Sequence, residues 1–541
     1  MDLSKKPFDL SGQEIGWAEA TLNSLTREEK VGQLFCLMGG DYSKDERQRL
    51  VSDYAVGGLL FRPMPREALR AEFELLERLA RVPLLKAANM EEGGSGAVSD
   101  GTFFGWPMAV AASGNLETCE RLALTCASEG RQAGVNWSFA PVCDLDINPL
   151  NPITNLRTFG SDPQEVSLFT RTFASTLQNA GMAACAKHFP GDGVDFRDQH
   201  LHPTYNSLAA EEWDKSYGDV YQALIADGLM SVMAGHIAQP ALCMRENPAL
   251  AFADCLPASQ SRELLEGVLR GRLGFNGLIA TDATIMGGFC QSMPRREAIP
   301  ASIAAGCDML VFSTDFYRDY QYMLSALEDG RLAEERLNAA VMRILALKAW
   351  CRRASALPVP KTNAALWTKD CANESITLVK NLENSLPITK ERFPIIRLVP
   401  LGSAEGIAQR MRERLISEGF YVTCFCEERE ELRAPNETDH DCLTLILANY
   451  ETASNQVSVR ISWCKKHALD MPRFICEEPA VFLSFANPYH LMDVPRIKTY
   501  INAYGCTDVV IDALVDKLLG KSRFWGKSPI DAFCGMQDTY L

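Results

Sequence analysis

The residues Lys187–Pro203, KHFPGDGVDFRDQHLHP, gather Lys187, His188, Asp192, Asp195, Arg197, Asp198, His200 and His202 into one glycine-punctuated segment. Four of the chain's seven histidines, His188, His200, His202 and His236, fall here or shortly after. Asp198 and His200 stand at i and i+2, positions that share a side in an extended segment. The carboxylate can then hold one ring nitrogen of His200 and raise its basicity. A histidine so held is a general acid/base near neutral pH. Asp282 closes the apolar run Leu278–Thr281. As a carboxylate nucleophile it could form a covalent glycosyl intermediate; the alternative is an N-cap for the residues that follow. Lys187, His188 and Arg157 add cations and donors suited to sugar hydroxyls or an acyl oxygen, although Arg157 taken alone reads better as a surface arginine. A metal is the competing chemistry. His188, His200, His202, His236 and Asp282 are ligand types, and His200-x-His202 resembles a zinc pair. Because His202 precedes Pro203 and no second ligand motif exists, no metal and no cofactor are expected.

These residues need strand ends to hold them. Eight short apolar stretches, at 31–38, 57–61, 83–89, 137–141, 183–188, 230–236, 277–282 and 307–313, alternate with helical ones. Helices are expected over 12–30, 66–80, 116–134, 165–180, 209–227, 259–273 and 296–305. Near-continuous apolar strands alternating with helices predict a parallel sheet closed as a (β/α)8 barrel, with a doubly wound open sheet as the alternative. Asn89, His188, His236 and Asp282 fall at strand ends, the catalytic rim of such a barrel. A long helix over 332–350 closes the first domain, 1–351. Residues 352–362, with two prolines, read as a linker. Strands expected at 395–400, 421–425, 443–448, 480–485 and 498–503 make 363–541 a smaller α/β sandwich domain.

At 541 residues the chain exceeds one ordinary core. Its 47% hydrophobic and 23% charged residues describe a soluble globular protein. The net charge of −15 argues against nucleic acid or an anionic membrane as partner and favours a small neutral substrate. No stretch approaches the ~20 apolar residues of a membrane span. The amino terminus has no apolar signal region. The 18 cysteines form no CxxC pair, and Cys424 and Cys426 are spaced for neither zinc nor redox chemistry. Reduced, buried thiols in a cytoplasmic protein are therefore expected.

Lys187-His-Phe-Pro-Gly followed by Asp198-Gln-His200 resembles the loop of family 3 glycoside hydrolases, in particular the β-N-acetylglucosaminidase branch. Phe139-Ala-Pro-Val-Cys-Asp, Asn148-Pro, Arg157-Thr-Phe-Gly-Ser-Asp and Thr281-Asp-Ala resemble further motifs of that family in order. Glu374-Ser-Ile-Thr-Leu-Val-Lys-Asn, Leu386-Pro and Asn487-Pro-Tyr resemble the entry and body of its second domain. The resemblance implies a barrel followed by an α/β sandwich and a retaining reaction on β-linked N-acetylglucosamine. It makes Asp282 the nucleophile, His200 the acid/base and Asp198 its partner, with Arg157, Lys187 and His188 holding the sugar. The substrate would be a small glycan or a muropeptide fragment. Three stretches depart from the pattern. Asn89-Met-Glu-Glu-Gly-Gly-Ser replaces D-Q-E-G-G-R, leaving Asn89 to bond hydroxyls without a following arginine. Asp192 replaces a histidine, and Ala283-Thr-Ile-Met follows the nucleophile. A histidine acid/base leaves the site less anionic than a second carboxylate would, so phosphate could replace water as acceptor. A β-glucosidase of the same family and a catalytically silent sugar-binding protein are the alternatives.

Overall fold

The computed structural model describes residues 1–425, 441–464, 468, 470–473 and 475–541. Cys426 lies outside them. Eight parallel strands close into a barrel in chain order: β1 (Phe35–Met38), β2 (Gly58–Leu60), β3 (Leu85–Ala88), β4 (Trp137–Ser138), β5 (Ala183–Phe189), β6 (Ser231–Ala234), β7 (Leu278–Ala283) and β8 (Met309–Val311). The seam pairs Phe35 with Leu310, so the open sheet does not form. Phe35, Leu59, Leu85, Trp137, Cys185, Val232 and Ile279 are buried on these strands. Burial on both faces, against the interior and against the surrounding helices, is why their sequences run apolar rather than alternate.

The expected strand over 31–38 is half helix. Helices Gly12–Ser24 and Arg27–Gln33 replace the single helix over 12–30, because Thr26 and Glu29 form a capping box that starts a new helix. The last helix of the first domain runs Glu334–Ala354, so irregular chain begins at Ser355 rather than at Arg352. Arg131 donates to the carbonyls of Ser355, Leu357 and Pro358 and fixes that exit.

By its contacts the chain groups into two compact units. One is Met1–Phe104, Cys119–Asn148 and Pro163–Thr362; the other is Gly105–Thr118, Pro149–Asp162 and Asn363–Leu541. The second unit holds a six-stranded sheet of β9 (Thr377–Asn381), β10 (Ile395–Gly402), β11 (Tyr421–Cys424), β12 (Cys442–Asn449), β13 (Ala480–Ser484) and β14 (Thr499–Asn502), ordered β9-β14-β13-β12-β10-β11. Only β9 is antiparallel to its neighbour, and it is the strand that the apolar pattern did not single out. Successive residues face opposite ways: Leu398, Leu445 and Leu483 pack in one apolar cluster, while Val399, Ile446 and Phe482 pack in another. Among the described residues no helix is long and apolar enough to cross a membrane.

Candidate active site

The loop after β5 carries most of the candidate groups, and its neighbours hold it with carboxylates. Asp144, in the loop after β4, accepts from the His188 backbone N–H at 3.0 Å, from His188 Nδ1 at 2.7 Å and from the Asp192 N–H at 2.8 Å. Nδ1 therefore carries the proton, and Nε2 of His188 turns towards Asp282 Oδ2, 3.9 Å away. Gly193 follows at φ +97°, a conformation open to glycine, and a Cβ there would meet the Leu145 carbonyl. Asp192 accepts from the Gly193 N–H at 2.7 Å and from Gln199 Nε2 at 3.2 Å, and Gln199 Oε1 accepts from the His236 N–H at 2.8 Å. The loop is thus tied to β6 through Gln199. Arg197 forks onto Asp195 with bonds of 2.9 and 2.7 Å and locks the loop's outer turn.

Asp198 and His200 do meet, though not in extended chain. The segment is a turn, with the Leu201 and His202 N–H groups donating to the Asp198 carbonyl. Asp198 Oδ1 accepts from the His200 N–H at 2.8 Å and from His200 Nδ1 at 2.6 Å. Asp198 is buried, while the His200 side chain keeps 25% of its surface exposed. Its Nε2 has no partner among the described residues, so it can give or take a proton.

Asp282 lies on β7, 13% exposed. Oδ1 accepts from the Ala283 N–H at 2.7 Å, so the carboxylate caps its own neighbour while Oδ2 faces the histidines. Burial acts to raise its pKa, but the neighbouring His188, His236 and His200 and the Ala283 N–H bond outweigh it, holding the group below the ordinary carboxylate range. A largely enclosed carboxylate kept ionised is what a nucleophile requires.

Lys187 lies on β5, 2% exposed. It pairs with Glu91 at 2.6 Å and donates to Asn89 Oδ1 at 3.3 Å. Asn89 itself is exposed at the end of β3. The barrel unit thus brings together Asn89, Lys187, His188, Asp198, His200 and Asp282.

Arg157 belongs to the second unit, on the 3-10 turn Asn155–Arg157, where Nη1 donates to the Ile153 carbonyl at 3.4 Å. In that unit Asn155 Nδ2 donates to Asn487 Oδ1 at 3.1 Å, joining the two motifs noted in sequence.

Of the residues weighed as metal ligands, His202 and His236 are committed elsewhere. His202 is exposed, 3.4 Å from Gln291. His236 is buried between Ser259 Oγ at 2.9 Å and the Ala283 carbonyl at 3.0 Å. That carbonyl can only accept, so Nε2 carries the proton and Nδ1 accepts from the hydroxyl. Burial holds the ring below its ordinary pKa against the pull of Asp282 and Ala283, and keeps it neutral. Among the described residues no group of three or more histidines, cysteines or acids could hold a metal ion.

Sequence reasoning missed Asp144, Glu91 and Gln199 as positioning residues. It also missed Gly287 and Gly288, whose N–H groups donate to the His200 and Gln199 carbonyls at 2.7 and 3.1 Å. A Cβ at Gly287 would lie 2.2 Å from the Leu201 carbonyl oxygen, so glycine lets the loop after β7 press onto the loop after β5.

The model of the glycosyl hydrolase family 3 N terminal domain matches residues 26–347. The chain belongs to this family. A beta-N-acetylglucosaminidase/beta-glucosidase of Cellulomonas fimi is 42% identical over 563 residues, covering all of both chains. A beta-hexosaminidase of Thiobacillus denitrificans is 32% identical over 289 residues, 52% of this chain and 77% of that one. The solved beta-glucoside phosphorylase BglX is 40% identical, with a TM-score of 0.92 over 99% of each chain. As a family 3 glycoside hydrolase the protein has a barrel followed by a second sheet domain.

Proposed function

We propose that this family 3 enzyme removes terminal β-linked N-acetylglucosamine from small glycans, muropeptide fragments included, by double displacement. The observation that carries the reading is the Asp282 carboxylate, 13% exposed with Oδ1 held by the Ala283 N–H, in the same site as a partly exposed His200 held by Asp198. Asp282 Oδ2 attacks the anomeric carbon while His200 Nε2–H protonates the leaving oxygen. The sugar is then esterified to Asp282. His200, now neutral at Nε2, takes a proton from water as its oxygen attacks the anomeric carbon and Asp282 departs. Asp198 keeps the Nδ1 proton in place through both steps and stabilises the imidazolium that precedes the first and is restored by the second. Lys187 spends two N–H groups on Glu91 and Asn89 and keeps a third for a sugar hydroxyl. His188 and Asn89 complete the grip on the sugar. The names of the Cellulomonas fimi and Thiobacillus denitrificans relatives support the choice of sugar. The 17 described cysteines are all unpaired, which supports a reducing, cytoplasmic setting.

A second reading has its own support. A solved relative of 40% identity is a beta-glucoside phosphorylase, and a histidine acid/base does not repel an anionic acceptor as a carboxylate would. One experiment separates the readings: turnover of 4-nitrophenyl β-N-acetylglucosaminide and β-glucoside, with and without phosphate, on the wild type and Asp282→Asn. Release from the N-acetyl substrate without phosphate, lost in the variant, is expected. Sugar 1-phosphate formed only with phosphate, or release from the glucoside alone, would replace the reading. Binding without turnover of either would make the chain a sugar-binding protein.

A further inference from the structure

A cationic groove opens at the end of the barrel where the strands begin, opposite the end that carries Asp282. A cavity of about 390 Å3 is lined there by Lys86, Arg131, Lys348, Arg352 and Glu77. Leu84 before β3, Asn136 before β4 and Gly181 before β5 also line it and fix its place in the fold. A second cavity of about 430 Å3 shares Lys86, Arg131 and Glu77 and adds Arg70, Arg78 and Glu74. The two form one groove with six cationic side chains and two carboxylates, in a chain of net charge −15.

Part of this charge is already engaged. Glu77 holds Lys86 at 3.3 Å, Glu74 holds Arg70 at 2.9 Å, and Arg131 is occupied by backbone carbonyls. Three cations remain. Lys348 is 2% exposed, and its one partner among the described residues is Gln33 Oε1 at 2.6 Å, which leaves two N–H groups without an acceptor. The Arg352 guanidinium lies over the Trp17 ring, 6.0 Å from its centroid, and among the described residues neither Arg352 nor Arg78 has an ion pair. Burying an ammonium without full pairing is costly unless an anion offsets it. The guanidinium fork matches phosphate oxygens two at a time. Each cavity is within the ~300–1,000 Å3 usual for small-molecule sites, and Leu84, Val135 and Val359 give the wall an apolar side.

We propose that this groove binds a small organic phosphate, with the phosphate group on Lys348 and Arg352 and the organic part along the wall towards Arg78. The site is separate from the glycosidase chemistry and does not depend on which sugar is cleaved.

Protonation gives a second signature. Burial lowers the Lys348 ammonium to about 7. The groups facing it are Cys36 of β1, Gln33 before it, Glu77 of helix Arg66–Leu79, and Cys351 on its own helix, with Lys86, Arg131 and Arg352 along the cavity. An anion binds the protonated form, so affinity falls as pH rises through this value. Lys348→Met, which cannot titrate, lacks that part of the dependence.

Calorimetry with glucose 6-phosphate on the full chain tests the site. One binding event is expected in the wild type and in Asp282→Asn alike, at least tenfold weaker in Lys348→Met and in Arg352→Ala. The ratio of wild-type to Lys348→Met affinity should shrink between pH 6 and 8.5. Arg352 is exposed, so its variant keeps the test alive should Lys348→Met fail to fold. No heat in the wild type, or unchanged affinity in Arg352→Ala, would overturn the proposal. So would loss of binding in Asp282→Asn, which would put the ligand in the active site. Equal binding of citrate would overturn the assignment to phosphate.

Discussion

His200 can do acid/base work because its two nitrogens have different tasks: Nδ1 is held by a buried carboxylate and Nε2 is left for the substrate. The proposed mechanism therefore makes a graded prediction. His200→Ala should lower kcat/KM about 10²–10⁴-fold on a glycoside with a poor leaving group such as an alkyl alcohol. It should cost far less with a nitrophenol, which departs without a proton. Steady-state assays on both substrates check this, and equal losses would place the acid elsewhere. A second prediction concerns pH. His236 and Asp282 both have folded-state pKa values below their ordinary ones. The folded chain then holds fewer protons than the unfolded one, so the stability these groups contribute is present at neutral pH and lost as pH falls. His236 acts first, from about its ordinary 6.5 downward, and the carboxylate only below its ordinary 3.8. Thermal unfolding should show Tm falling from pH 7 to 5, and falling less in His236→Gln, whose amide can still donate to the Ala283 carbonyl. The Asp198–His200 pair was legible in sequence because it is local, and Asp282 because a lone charge ends an apolar run. Asp144 was not legible as the partner of His188, since the two are 44 residues apart and only the pairing of β4 with β5 brings them together.

At the level of elements, the site is two loops pressed together by backbone. The loop after β7 approaches the loop after β5 so closely that Gly287 donates to the His200 carbonyl and Gly288 to that of Gln199. Gly287→Ala would put a Cβ 2.2 Å from the Leu201 carbonyl oxygen and force the loops apart. We expect a loss of about 1–3 kcal/mol of stability. A larger effect is expected on kcat than on KM, because the shift separates Asp282 from His200 while Asn89, Lys187 and His188 stay in place. Urea unfolding alongside steady-state kinetics checks both; a stability loss with unchanged kcat would show that the loops do not set the catalytic geometry. The eight strands were legible because continuous apolar runs of strand length have few other uses. Their limits were less so. Val31–Gln33 reads as strand by apolarity, but the capping box at Thr26 and Glu29 commits it to helix first. β9 escaped notice because Thr377–Asn381 carries a lysine and an asparagine. The lysine is buried all the same, with Lys380 Nζ donating to the carbonyls of Pro495, Thr539 and Leu541.

At the scale of the whole molecule, the chain order of the two units differs from their composition. Sequence reading assigns 1–351 to the barrel in one piece, since a pattern of alternating strands and helices gives no sign that an inserted loop packs elsewhere. The contacts group Gly105–Thr118 and Pro149–Asp162 with Asn363–Leu541. Within that unit Met108, Ala109, Ala112 and Leu156 form one apolar cluster with Ala486, Tyr489, Tyr504, Ile530 and Ala532. A chain cut after Thr362 would keep all eight barrel strands and both proposed catalytic groups. It would nevertheless expose Met108 and Leu156, each about 1.5–3 kcal/mol of apolar burial. It would also strip Asn155 of its bond to Asn487, beside Arg157. Such a fragment should bind the dye ANS, unfold at a lower temperature than the full chain and turn over glycosides poorly, even though its barrel is complete in sequence. Dye fluorescence, calorimetry and the nitrophenyl glycoside assay on the fragment would check this. A soluble, dye-silent and fully active fragment would mean that the packing of the two inserted segments against residues 363–541 is dispensable for both stability and turnover.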